Sequence, residues 1–302
     1  MITENAVQGC KLQKSLNFSQ DEELYIATSD TKGKMENDYK PFVDKILSSI
    51  SFVPDSILDL GCGPGYIARR FSEVLPDADV VGVDISEIMI NHAIKASIKD
   101  SIKDSIKDSI KASIKETDKD KETDKVNLDF SRRNIQILEF ASNYDNKAKN
   151  NLYHIANSAD KLADVIVNNN VYDLNGVYFS QKLKYLIANS ECLPFNENYF
   201  DIIILKGTFK CLERKVESLE EMYRVLSDGG EILIFEFRKD IPEDEFLILT
   251  KDMQPQKVRS LRNKLNCSPD LAEYKYCLSK SNLSKFAEIT GDGLDLKIRI
   301  VK

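Results

Sequence analysis

The chain has 302 residues, with 42 Lys and Arg against 49 Asp and Glu and a formal net charge of −7. That balance excludes a protein that holds nucleic acid through its overall field, because phosphate binding needs clustered positive charge. With 42% hydrophobic and 30% charged residues, wholesale disorder is excluded too, and the composition fits a globular protein of one enlarged domain or two small ones. The first fifteen residues lack the apolar core of a signal peptide, and the densest apolar runs, 202–205 and 232–235, are too short to cross a bilayer. A soluble, cytoplasmic protein is expected. Cys10, Cys62, Cys192, Cys211, Cys267 and Cys277 include no CxxC pair, so reduced thiols are expected in place of a zinc site or a disulfide framework. His92 and His154 are the only histidines, which gives no basis for a His-based metal centre or a Ser/His/Asp triad.

The spacing of Phe42, Val43, Ile46, Leu47 and Ile50 predicts a helix over 39–49 that stops before Pro54. Residues 56–60 read as a short buried strand running into Gly61-Cys62-Gly63-Pro64-Gly65, and 66–74 as the next helix. A second apolar run, 80–83, ends at Asp84, and Ser86 is placed to cap a helix beginning near Glu87. Strand, glycine turn, helix, strand is the opening of an open α/β sheet.

Beyond that unit, Ser97-Ile98-Lys99-Asp100 recurs at 101–104 and 105–108 and then decays through 109–125. Isoleucines four apart drift about 40° per repeat around a helix, so they fix no single buried face. The charged pairs nearly cancel, because Asp100 with Lys103 is favourable while Lys99 with Lys103 and Asp100 with Asp104 are like charges four apart. A frayed helical extension or solvated loop is expected, and its removal should leave ligand binding nearly unchanged. Residues 130–167 suggest one or two helices. The stretch from Asp84 to Asn189 is far longer than a usual crossover, so 97–180 reads as an insertion.

Strands follow at 182–188 and 200–205, a helix at 216–226, and a strand at 231–237 after Asp228-Gly229-Gly230. A last helix is expected at 281–289 and a terminal strand of alternating pattern at 294–301.

The chemistry centres on Ile57-Leu58-Asp59-Leu60-Gly61-Cys62-Gly63-Pro64-Gly65-Tyr66, with Asp84 at the end of the following strand. A dinucleotide fingerprint, Gly-x-Gly-x-x-Gly, fits poorly, since the sixth position from Gly61 is Tyr66. A carboxylate just below the turn, Asp59, would repel a pyrophosphate. It would attract a ligand carrying an ammonium and a sulfonium, as S-adenosylmethionine does.

On these residues the chain resembles the class I S-adenosylmethionine-dependent methyltransferases, in particular the group of quinone-biosynthesis and other small-molecule enzymes. The resemblance covers about 39–96 and 183–237 and implies an α/β, Rossmann-like doubly wound, mostly parallel sheet with flanking helices. It divides the chain into an N-terminal lid or flexible segment (1–36), a methyltransferase domain (37–96 and 181–302), and the insertion after the second strand (97–180). Asp59, Gly61, Gly63 and Gly65 match the turn that passes around the methionine part of the cofactor, with Cys62 inside it. Asp84 matches the acid that binds both ribose hydroxyls, a pairing that suits a carboxylate. Ile85 would pack on the adenine. Ala188-Asn189-Ser190-Glu191-Cys192-Leu193-Pro194-Phe195 resembles the adenine-binding turn, with Asn189 in place of the usual Asp and Ser190 beside it. Asp201 to Lys206 resembles the fourth strand, whose carboxyl end faces the transferring methyl, and 226–230 the turn before the fifth.

Two departures stand out. Gly207-Thr208-Phe209-Lys210-Cys211 follows the fourth strand where the family often has a His pair, so no general base is carried over and the catalytic residues stay unassigned. The family also ends in an antiparallel hairpin, whereas only 294–301 reads as a strand here. Lys206, Thr208, Lys210 and the segment 25–34 are the candidates at the mouth, and Lys257, Arg259, Arg262 and Lys264 would suit an anionic acceptor unless they form a solvated helix face. The expected activity is in-line methyl transfer to a small molecule. The alternatives are an RNA or protein methyltransferase and a non-catalytic cofactor-binding protein.

Overall fold

In the computed structural model the described residues are 26, 33, 35–97, 100, 164–167, 170–173, 182–292 and 294–302. The N-terminal segment proposed as a lid lies almost wholly outside them. So does the tandem repeat, apart from Ser97 and Asp100.

A π-helical turn, Met35–Tyr39, leads into α1 (Lys40–Ser49), followed by β1 (Ser56–Leu60), α2 (Tyr66–Val74) and β2 (Asp79–Asp84). A helix at 87–97, here α3, begins where Ser86 Oγ accepts the Met89 amide at 3.2 Å, the cap expected from the sequence. β3 (Asp164–Val167) and β4 (Asn170–Asp173) form a separate antiparallel pair. The helical reading of 130–167 is therefore wrong for its last four residues, and its remainder lies outside the described residues. A β-branched run such as Asp-Val-Ile-Val favours the extended state.

The main sheet continues with β5 (Leu183–Ile187), β6 (Phe200–Lys206) and, after α4 (Lys215–Val225), β7 (Leu226–Phe237). Helices α5 (Glu243–Thr250), α6 (Pro255–Asn266) and α7 (Leu271–Lys280) lead to β8 (Ala287–Asp292) and β9 (Asp295–Val301). The order is β5-β2-β1-β6-β7-β9-β8, parallel through β7 and antiparallel at β9 and β8.

Two expectations are corrected here. No helix spans 281–289; a short 3-10 turn, Ser284–Phe286, precedes strand β8, which pairs with β9 from Ala287 opposite Ile300 to Asp292 opposite Asp295. The closing hairpin is therefore present, and no strand of the family sheet is missing. The last helix is α7, started by a capping box in which Asp270 accepts from the Glu273 amide and Glu273 reaches back to the Asp270 amide.

The strands alternate their side chains between two cores. Ile203 and Leu205 face α4 and α7 through Leu219, Met222 and Tyr274, whereas Ile202 and Ile204 face α1 and α2 through Val43, Ile46 and Phe71. Both faces of β6 are thus buried, which explains its unbroken apolar run. β9 instead alternates buried and half-buried positions, as expected where cover is one-sided. The strand order reverses between β1 and β6. In open α/β sheets ligands settle at such a switch point, outside the carboxyl ends of the strands.

Candidate functional site

The loops leaving β1 and β6 meet at this switch point. Gly61, Gly63 and Gly65 all have positive φ, at 73°, 51° and 75°, a conformation open to glycine and strained for other residues. At Gly61 space is limiting as well. A Cβ there would lie 2.1 Å from Thr208 Cγ2, and Thr208 Oγ1 donates to the Gly61 carbonyl at 3.2 Å. The bend is also pinned to β2, since the amides of Gly61 and Cys62 both donate to the Val83 carbonyl, at 2.7 and 3.0 Å.

Asp59 lies beneath the turn and is 1% exposed. Its Oδ2 accepts the Ala68 amide at 3.1 Å, satisfying one of the donors that the first turn of α2 leaves over. Burial pushes its carboxyl up to about 7, against the Ala68 hydrogen bond and with a smaller push from the Asp84 charge. Asp84 stands at the tip of β2. Its Oδ2 accepts the Gly63 amide and its Oδ1 the Ser86 amide, each at 2.9 Å. These bonds orient the carboxylate, a group whose chemistry suits hydroxyl donors. Ile85 follows at 46% exposure, a large apolar side chain presented beside that carboxylate. Cys62 is buried inside the turn, and burial holds its thiol in the neutral form.

The second segment is held from α4. Arg224 donates to the carbonyls of Leu193 (3.0 Å) and Phe195 (2.9 Å), and Glu221 accepts the Leu193 amide at 3.3 Å. Asn189 Oδ1 accepts the Glu191 amide at 3.0 Å, forming a local turn. The Ser190 hydroxyl is engaged with that of fully buried Ser218 at 2.9 Å. Lys206 ends β6 with its ammonium 4.0 Å above the Phe42 ring. Burial lowers its pKa while Asp295, Asp38 and Glu236 oppose that shift, so this cation belongs to the α1 side of the mouth.

Three side chains in this architecture were not apparent from the sequence. Tyr185, on β5, is buried with its ring under the turn; a Cβ on Gly65 would lie 2.6 Å from its hydroxyl, and one on Gly82 2.6 Å from Cδ1. Arg69 Nη1 donates to the Pro64 carbonyl at 3.0 Å. Glu236, 4% exposed, accepts the Lys210 amide at 3.2 Å and so holds the turn after β6; burial raises its pKa, and its Oε2 has no hydrogen-bond partner among the described residues. No sequence pattern signals these roles, which arise from pairing across the sheet.

Of the basic residues on α6, Arg262 is committed to Glu243 (2.8 and 2.6 Å) and to the Phe246 ring, while Lys257, Arg259 and Lys264 are exposed. Among the described residues no cluster of His, Cys, Asp and Glu could hold a metal ion, no helix is long and apolar enough to cross a membrane, and the five cysteines are free thiols.

A glycine bend between two carboxylates at the switch point of a seven-stranded sheet defines a class of protein. A family model described as a methyltransferase domain matches residues 32–286, and the chain belongs to this family. Over 59 residues it is 44% identical to the ubiquinone/menaquinone biosynthesis C-methyltransferase UbiE of Francisella philomiragia, which is 20% of this chain and 24% of that protein. The protein of the same name from Citrobacter koseri is 44% identical over 61 residues, with the same two coverages. The match thus spans about a quarter of the length of these curated relatives. Among solved structures, a Methanococcus maripaludis chain described as an S-adenosyl-L-methionine-dependent methyltransferase aligns with TM-score 0.54 at 15% identity, covering 97% of both chains. The plantazolicin methyltransferase BpumL, solved with a desmethylplantazolicin analogue and SAH, aligns with TM-score 0.51 at 15% identity over 95% of this chain and 90% of its own. At such identities the likeness is one of fold.

Proposed function

We propose that this chain is an S-adenosylmethionine-dependent methyltransferase that methylates a small molecule. One observation carries the reading: Asp59 and Asp84 flank a turn of three left-handed glycines at the switch point, and Asp84 holds that turn through the Gly63 amide. The residues fit the cofactor's chemistry, with Asp84 for the ribose hydroxyls, Ile85 for the adenine face, the 189–193 turn for the adenine edge, and Asp59 as counter-charge beneath the methionine end. Bound S-adenosylmethionine supplies a methyl group on a sulfonium. The chain's contribution is alignment and exclusion of water, with Thr208 locking the acceptor-side loop to the Gly61 carbonyl.

Residues 37–96 and 181–302 form the methyltransferase domain in this reading, since β2 and β5 pair directly although residues 97–180 separate the two segments. The acceptor side lies along the segment after β7. Exposed Leu247, Ile248 and Leu249 support an acceptor with an apolar body, and exposed Lys257, Arg259 and Lys264 support an anionic group on it. The named function of the UbiE relatives points the same way. Free thiols at Cys62, Cys192, Cys211, Cys267 and Cys277 support a reducing compartment, the cytoplasm.

The test has two arms. Calorimetry on the full chain is expected to show binding of S-adenosylmethionine and none of a nicotinamide dinucleotide; the reverse result removes the reading. Incubation of cell extract with isotopically labelled methyl donor, followed by mass spectrometry, is expected to place the label in a small molecule. Label confined to RNA or protein would select one of the macromolecular alternatives.

A further inference from the structure

The first Ser-Ile-Lys-Asp unit meets the glycine turn at two places. Ser97 closes the described run of α3, and its hydroxyl lies 3.1 Å from that of Tyr185. Tyr185 is the ring beneath Gly65 and Gly82, and its hydroxyl lies 3.5 Å from the Gly65 carbonyl, at the outer limit of a hydrogen bond. Three residues further, Asp100 Oδ2 lies 3.4 Å from Arg69 Nε. Arg69 grips the Pro64 carbonyl, and its guanidinium lies 5.1 Å from the centre of the Tyr66 ring. Ser97 and Asp100 thus address both props at once. The Arg69 side chain is 10% exposed and its Nε makes no hydrogen bond among the described residues, and the Asp100 carboxylate supplies a charge beside it.

We propose that this first repeat unit is a positioning element of the site: through Ser97 with Tyr185, and Asp100 with Arg69, it sets Pro64 and Gly65 for the methionine end of the cofactor. This rests on the reading that the glycine turn holds S-adenosylmethionine. It also revises the expectation that the repeat is dispensable, because the boundary between dispensable and required chain falls after Asp100 and not before Ser97.

The test compares two probes on the full-length chain by calorimetry: S-adenosylhomocysteine, which carries the amino-acid end, and methylthioadenosine, which lacks it. Ser97→Ala, Tyr185→Phe and Asp100→Asn are each expected to weaken S-adenosylhomocysteine about three- to tenfold, the net worth of one hydrogen bond or partly buried ion pair, and to leave methylthioadenosine within about twofold. Ser97→Thr keeps a hydroxyl and should restore near-normal affinity. The double variant S97A/Y185F should be no weaker than its weaker single, since both remove one contact. Deletion of 101–125 should leave both constants unchanged. Unchanged S-adenosylhomocysteine affinity in all three single variants overturns the proposal, as does equal weakening of both probes, which would mark a merely structural contact. A wild-type chain that binds neither probe overturns the underlying reading and the proposal with it.

Discussion

The centre of the sheet and its antiparallel edge are built to different rules. In β1 and β6 nearly every residue is buried, the strands run parallel, and their carboxyl ends carry the bend at Gly61 and the loop at Thr208. In β8 and β9 the pairing is antiparallel, burial alternates, and the charged cross-strand partner of Arg299 is Glu231 on β7. The carboxyl-terminal end of the parallel half gathers the groups able to hold a ligand. The antiparallel end covers the edge of β7 and adds none of the site residues. A shallow polar depression lined by Ser49, Glu288, Thr290, Lys297 and Arg299 lies at that end and shares no residue with the glycine turn. Stability and ligand binding should therefore respond separately to substitutions in the two halves.

The sharpest way to break this contrast is Gly61→Ala. A methyl group there meets Thr208 at 2.1 Å in a left-handed backbone. The expected cost is about 3 kcal/mol or more, read as a cofactor affinity reduced more than a hundredfold by calorimetry. Asp84→Ala comes next. Loss of charge-assisted hydrogen bonds should weaken S-adenosylmethionine by about 1.5–3 kcal/mol, and an unchanged dissociation constant would remove the ribose assignment.

An effect of similar size, spread over several pH units, should appear in the pH dependence of the ligand-free protein. The carboxyl of Asp59 is pushed up to about 7 when folded, from an ordinary value of 3.8. The folded state therefore holds a proton that the unfolded chain releases, and the stability it contributes is full below about pH 4 and lost as pH rises through 7. Between pH 5 and 7 this group should lower stability by at most about 1.4 kcal/mol per pH unit. Urea unfolding of Asp59→Asn alongside the wild type checks the slope, which should flatten in the variant. Smallest is Ile298→Val, at a fully buried position of β9, expected to cost about 1 kcal/mol in thermal or urea unfolding while cofactor affinity stays as it was. A matching loss of affinity would mean that the centre and the antiparallel edge are coupled.

The same division governs what could be read from the sequence. Strands buried on both faces appear as runs dominated by apolar residues, so 56–60, 80–83 and 200–205 were legible, and so was the glycine turn after the first of them. Strand β8, Ala-Glu-Ile-Thr-Gly-Asp, has too few apolar residues to declare a period, and Leu283, Phe286 and Ile289 mimic helical spacing across its start. Its extended state is imposed by β9, which local sequence does not encode. Within the site, Asp59, Asp84 and the glycines could be placed because they sit at fixed offsets from strand ends. Tyr185 and Glu236 could not, because their neighbours are 120 and 26 residues away along the chain.

The contact between Gly61 and Thr208 restricts the order in which the protein could change. A side chain at position 61 would meet the methyl, hydroxyl and Cβ of Thr208 at 2.1, 2.5 and 2.7 Å, so loss of that methyl alone does not admit it, and the positive φ resists it as well. Position 208, by contrast, can lose its methyl group as serine and keep the hydroxyl that bonds the Gly61 carbonyl. Descendants of this chain would thus be able to remodel the loop after β6 while the glycine bend after β1 stays fixed.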